Sequence, residues 1–169
     1  MITLLWTKSK APLSKVIRWT FNEPVSHFAI CFDHRIVFHS NLLGAQIKWM
    51  PEFFQHAEPI FELHFNPPQE IEDKIYDNIY AKFSKPRFYD FGAFAFFAQA
   101  GLRHKLFKAP MPSRNLWGRR EAFLCTEMSG VLSPMIDVPN NADILTPYEL
   151  YEQLLPLAIK SPYLAIATD

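Results

Sequence analysis

Two short runs of strand-forming residues, Ser26-His27-Phe28-Ala29-Ile30-Cys31-Phe32 and Arg35-Ile36-Val37-Phe38-His39-Ser40, flank the dipeptide Asp33-His34. Aromatic and β-branched side chains suit a pleated, half-buried surface, and Asp33-His34 supplies turn chemistry, so the stretch predicts a β-hairpin. Its register decides what the hairpin can carry. A turn centred on Asp33 opposes His27 to His39 and sets both imidazoles on one face. A strict two-residue turn pairs His27 with Ser40 and sends the two histidines to opposite faces.

The remaining pattern mixes helices and strands. Ile60 to Phe65 reads as a strand ended by Pro67-Pro68. A helix is expected from Gln69 to Phe83, with Ile71, Ile75, Ile79 and Phe83 on one face and acids in its first turns. From Cys125 the spacing of Met128, Val131 and Leu132 is helical until Pro134. Lys108 to Arg120 and Asp137 to Asn141 read as loops. Thr146-Pro147-Tyr148-Glu149 reads as an N-cap, a first-position proline and a third-position acid, opening a helix through Leu155. Tyr163 to Ala167 is a candidate terminal strand. The expected class is α+β: a small antiparallel sheet packed on helices, in one domain over residues 1–169.

Composition narrows the function classes. Apolar residues make up 49% of the chain, enough for a substantial core. The 17 basic and 17 acidic side chains balance, and no run of Lys and Arg stands out, which argues against a dedicated nucleic-acid binder. Only Cys31 and Cys125 are present, so a disulfide framework is not expected and a reducing compartment is the simpler setting. Met1 to Trp6 is too short an apolar run for a signal peptide, which predicts a cytoplasmic or otherwise soluble intracellular protein. The apolar run Phe91 to Leu102 is too short to span a bilayer. It reads as a buried central helix or as a surface for lipid or an acyl chain, with Arg103, His104, Lys105 and Lys108 following it.

Cys125 and the two hairpin histidines carry the chemistry. A thiol opening a helix sees unpaired amides and the positive end of the helix dipole, which favour the thiolate, and the same amides are candidate oxyanion donors. His27 alone is an ordinary strand histidine and Cys125 alone an ordinary core thiol. Together with His39 they form a base, an orienting group and a nucleophile. Cys31, in mid-strand, is assigned to packing. No metal-ligand spacing stands out beyond the hairpin pair, and no cofactor is expected.

Ser26-His27-Phe28-Ala29-Ile30 through Val37-Phe38-His39-Ser40, followed by Leu43-Gly44-Ala45-Gln46-Ile47, resembles the histidine hairpin of NlpC-type cysteine peptidases. Phe123-Leu124-Cys125-Thr126-Glu127-Met128 is similar to that family's nucleophile helix. The cysteine follows the hairpin here, as in the circularly permuted branch of this papain-like superfamily, which includes relatives of lecithin retinol acyltransferase. Tyr89-Asp90 and Thr146-Pro147-Tyr148-Glu149-Leu150 match further elements of that branch loosely. The resemblance spans Val25 to Leu150. Phe28 and Ala29 depart from the small residues usual after the histidine, and Asp33-His34 replaces a glycine-containing turn.

The resemblance implies a permuted papain-like fold with Cys125 as nucleophile, His27 as base and His39 orienting it. It also implies that the Cys125 amide, with the Tyr89 hydroxyl, holds the oxyanion. The implied activity is a cysteine-dependent acyl hydrolase, an amidase or peptidase, on an amide- or ester-containing substrate such as a peptide or lipid. The alternatives are a lipid-directed acyltransferase or thioesterase, and a non-catalytic binding module with the same fold.

Overall fold

The computed structural model describes residues 1–41, 44–83, 88–89, 91–112, 122–123, 125–139, 141–142 and 145–168. Six strands form one antiparallel sheet: β1 (Ile2–Lys8), β2 (His27–Phe32), β3 (Ile36–Asn41), β4 (Gly44–Trp49), β5 (Glu58–Phe65) and β8 (Leu164–Thr168). Their order across the sheet is β4-β3-β2-β1-β5-β8. The short strands β6 (Phe88–Tyr89) and β7 (Ala122–Phe123) pair in parallel beside it. The helices are α1 (Pro12–Phe21), α2 (Met50–Phe54), α3 (Gln69–Phe83), α4 (Phe91–Phe107) and α5 (Pro147–Lys160). A 3-10 helix covers Thr126–Leu132. The class is therefore mixed α+β.

Strand alternation builds two apolar layers. On one face Ile2, Leu4, Trp6, Phe28, Ile30 and Phe38 meet Ile75 and Ile79 of α3, Met128, Val131 and Leu132 of the 3-10 helix, and Leu150, Leu154 and Ala158 of α5. On the other, Leu5, Ala29, Cys31 and Val37 lie under Phe53 of α2. Burying an aliphatic or aromatic side chain contributes about 1.5–3 kcal/mol, so the first layer is the main source of stability. The second layer is thinner, and it is the one that carries the histidines.

The hairpin register differs from both expected ones. Phe32 pairs with Ile36 and Ala29 with His39, across a three-residue loop of Asp33, His34 and Arg35. Asp33 and His34 both take left-handed backbone, at φ 49° and 53°, and the Arg35 N–H donates to the Phe32 carbonyl at 2.8 Å. Asp and His tolerate this region better than most residues, so no glycine is needed. His27 and His39 are accordingly not opposed. Because the displacement is two residues, they still share a face, as diagonal neighbours.

Two helices also depart from expectation. α5 opens as predicted, with Thr146 and Glu149 exchanging both capping-box hydrogen bonds. It then continues past Pro156 to Lys160. An interior proline costs about 3 kcal/mol, and the burial of Leu150, Leu154 and Ala158 along one face of the helix offsets it. The apolar run at Phe91 is helical but extends through Phe107, and its last turns leave Leu102, Leu106 and Phe107 exposed. It is not a buried central helix at that end. Among the described residues no helix is long and apolar enough to cross a membrane.

Candidate active site

β2 and β3 bring the histidines together. His27 Nε2 lies 3.2 Å from His39 Nδ1, and the rings meet edge to face at 90° with centroids 5.3 Å apart. Long side chains bridge a diagonal pair of sites, which is why an even displacement is enough. Phe53 closes on both rings, at 5.1 Å from His39 and 6.3 Å from His27. His39 is buried, whereas His27 is half-buried. Desolvation disfavours imidazolium: burial pushes His27 down to about 4, and burial with the neighbouring His27 and Lys48 pushes His39 down to about 3. Both rings are neutral near pH 7.

Cys125 comes from the opposite layer. Its backbone is helical (φ −59°, ψ −34°) and it immediately precedes the 3-10 helix, which Met128, Val131 and Leu132 anchor in the core. Backbone amides of Phe28 and Thr126 lie against its sulfur, so the thiol sits beside the residue that follows His27. His27, His39 and Cys125 all line one cavity of about 360 Å³. Three of the residues singled out in the sequence, Cys125, His27 and His39, thus share one cavity.

Its electrostatics are not the expected ones. Burial pushes the Cys125 thiol up to about 11, against the opposing pull of the Phe28 and Thr126 amides. The helix it precedes is a tight 3-10 segment of seven residues rather than a full α-helix, so little dipole is available to offset desolvation. The expected resting thiolate is replaced by a neutral thiol in the cavity that the two neutral imidazoles also line.

Cys31 is also pushed up to about 11 by burial, donates to the Phe32 carbonyl at 3.9 Å, and packs with Leu5, Ala29, Val37 and Phe53. It does not line the cavity. Tyr89 lies on β6, but its side chain is outside the described residues. The described residues contain no group of three His, Cys, Asp or Glu placed to hold a metal ion.

Several cavity residues were missed in the sequence. Leu13, Ile17 and Phe21 of α1 form an apolar wall, and Leu145 and Pro147 add to it. Leu13, Ile17 and Phe21 recur every four residues behind Pro12, which is the helical signal that would have found them. Ser14 and Ser26, at 2.6 Å, share a buried hydrogen bond on the same cavity. Thr126 Oγ1 and His39 Nε2 are buried without a hydrogen-bond partner among the described residues, and both belong to residues that line the cavity.

No family model, curated protein or solved structure matches this chain.

Proposed function

We propose that this chain is a cysteine-dependent acyl hydrolase of permuted papain-like (NlpC-type) organisation, with Cys125 as nucleophile, His27 as base and His39 as its orienting partner. The observation that carries this reading is the convergence of a thiol and a hydrogen-bonded histidine pair on one cavity, drawn from opposite layers of the sheet. A base held by a third group, with a nucleophile nearby, is the general arrangement for activating a weak nucleophile.

Since thiol and imidazole rest neutral, the proton leaves Cys125 only as a carbonyl arrives. Sγ bonds to the carbonyl carbon while His27 takes the thiol proton. The tetrahedral adduct collapses, its bond to the amine, alcohol or thiol breaks, and His27 returns the proton to that leaving group. Water then attacks the thioester with His27 again as base, freeing the acid and the Cys125 thiol. His39 holds the His27 ring in the productive orientation throughout.

The cavity wall bears on the substrate. Leu13, Ile17, Phe21, Phe53 and Leu145 offer an apolar acyl group a surface that a polar peptide does not need. This favours an ester or thioester of an apolar acid, the thioesterase or lipid-directed acyltransferase reading, over an amidase acting on a polar peptide.

The test is incubation with short and medium-chain acyl thioesters and p-nitrophenyl esters, with intact-mass detection of a covalent acyl adduct. The expected result is turnover and an adduct at Cys125, both lost in Cys125→Ala. Turnover that persists in Cys125→Ala, or a folded protein that forms no adduct with any ester, thioester or amide, overturns the catalytic reading in favour of a binding module.

A further inference from the structure

We propose that the exposed face shared by α1 and the C-terminal half of α4 docks on an anionic lipid bilayer. The two helices are held against each other. A Cβ at Gly101 would fall 2.4 Å from the Phe21 ring and 2.9 Å from Thr20, so the α4 backbone rests directly on α1 there. One turn later the Lys105 ammonium lies 3.9 Å from the centroid of the Trp19 ring and donates to the Trp19 carbonyl.

Exposed apolar side chains and cations occur together on these two packed helices. Val16 (50%), Trp19 (58%), Leu102 (40%), Leu106 (60%) and Phe107 (76%) are exposed on the two helices. Lys10, Lys15, Arg103 and Lys108 are exposed on or next to the same helices, and Arg18 and Lys105 are half-buried there. None of these cations forms an ion pair among the described residues. Although the chain has 17 acids, none occurs in residues 1–22 or 91–112. The first, Glu23, accepts a hydrogen bond from buried Thr146. The sequence shows no basic stripe because these cations are split between two distant segments, and the fold joins them.

The charge complement of such a face is an anionic surface, and the apolar residues decide which kind. A nucleic-acid backbone uses the cations but gives no burial to Leu102, Leu106 or Val16. A bilayer interface uses both: aliphatic and aromatic side chains enter the acyl boundary while Lys and Arg stay among anionic headgroups. The proposal does not depend on chemistry at Cys125. Its geometric consequence is that docking seats α1, whose Leu13, Ile17 and Phe21 form the cavity wall, against the membrane.

Co-sedimentation with vesicles of phosphatidylcholine, with and without phosphatidylglycerol, tests it. Binding is expected only with phosphatidylglycerol. It should weaken about fivefold for each of Arg103→Gln and Lys108→Gln, and the Leu106→Ser/Phe107→Ser variant should abolish it. All four residues are exposed, so circular dichroism should report an unchanged fold. If the double serine variant unfolds, the two glutamine variants carry the test. Protein that stays in the supernatant with phosphatidylglycerol vesicles overturns the proposal. So does equal, salt-sensitive binding to vesicles and duplex DNA that is insensitive to Leu106→Ser/Phe107→Ser in a folded variant, which would mark a nucleic-acid surface instead.

Discussion

His27 Nε2 and His39 Nδ1 lie in hydrogen-bond contact although the two residues are diagonal, not opposed, on their hairpin. That contact constrains the tautomers. For His27 to accept a proton at Nδ1, it must keep its own at Nε2 and donate it to His39 Nδ1. His39 then carries its proton at Nε2, the atom that is buried without a partner among the described residues. On the proposed mechanism the base is thus oriented by a neutral group, which would hold its ring without supplying the charge a carboxylate would.

A neutral orienting group predicts a graded mutational series. His27→Ala should lower kcat for an ester substrate by about 10²–10⁴-fold, the usual contribution of a general base. His39→Leu should cost less, since the base survives, and His39→Asn less still, because its side-chain oxygen can accept from His27. KM should stay near the wild-type value in all three. Steady-state kinetics on the folded variants decides this, and a His39→Asn variant as poor as His27→Ala would mean that His39 does more than orient.

The raised thiol gives a second expectation. With Cys125 at about 11, only about one thiol in 10⁴ is ionised at pH 7, so alkylation by iodoacetamide should be slow there and climb steadily toward alkaline pH without a neutral plateau. Cys31 has an equally raised thiol, so ionisation does not separate the two. Access does: Cys125 lines the cavity and Cys31 is sealed beneath Phe53. Peptide mapping after alkylation at pH 9 should find Cys125 modified well before Cys31, and the reverse order would exchange their roles.

Stability should respond to pH through three buried or half-buried groups, His27, His39 and Glu23. His27 and His39 are depressed from about 6.5 to about 4 and about 3, so the unfolded chain binds more protons than the native one below 6.5. Their contribution is whole above that value and is lost as pH falls toward 3. Glu23 runs the other way. Burial raises it from 4.5 to about 7 against the Thr146 hydrogen bond, so its contribution is present below 4.5 and is lost as pH rises through 7. Between pH 4.5 and 6.5 the two histidines outweigh the one acid, and stability should rise with pH. In Glu23→Gln that rise should steepen. Urea denaturation across this window, in both proteins, measures the slopes; a shallower slope in the variant would contradict the sign given to Glu23.

The hairpin was visible in the sequence because strand-forming runs flank a turn dipeptide, and the even spacing of His27 and His39 survived a register that neither simple turn predicts. The register itself was hidden: it depends on Asp33 and His34 both adopting left-handed backbone, which no glycine announces. The start of α5 was written in Thr146, Pro147 and Glu149, whereas its end was not, because burial of Ala158 beyond Pro156 is a tertiary effect. α1 carries no side-chain cap and no acid in its first turn, so of the usual opening signals it shows Pro12 but neither a cap nor a first-turn acid. The protonation state of Cys125 was out of reach, since it is set by what surrounds the thiol and not by its neighbours in sequence.

The contact between α4 and α1 supplies the last prediction. Gly101 is the only residue type that lets the two helices approach as they do, since any side chain there meets the Phe21 ring at 2.4 Å and Thr20 at 2.9 Å. Gly101→Val should therefore push the helices apart or displace the ring. Overpacking of this kind costs about 1–3 kcal/mol, more than the gain in helix propensity over glycine, which is under about 1 kcal/mol. Because Phe21 also lines the cavity beside His27 and Cys125, the same substitution should raise KM for an apolar ester while leaving the labelling rate of Cys125 little changed. Gly101→Ala introduces only the Cβ and should show a smaller effect in the same direction. Urea denaturation and ester kinetics on the two variants test both halves. Equal or greater stability in Gly101→Val would mean that α4 does not rest on Phe21 as closely as the structure has it.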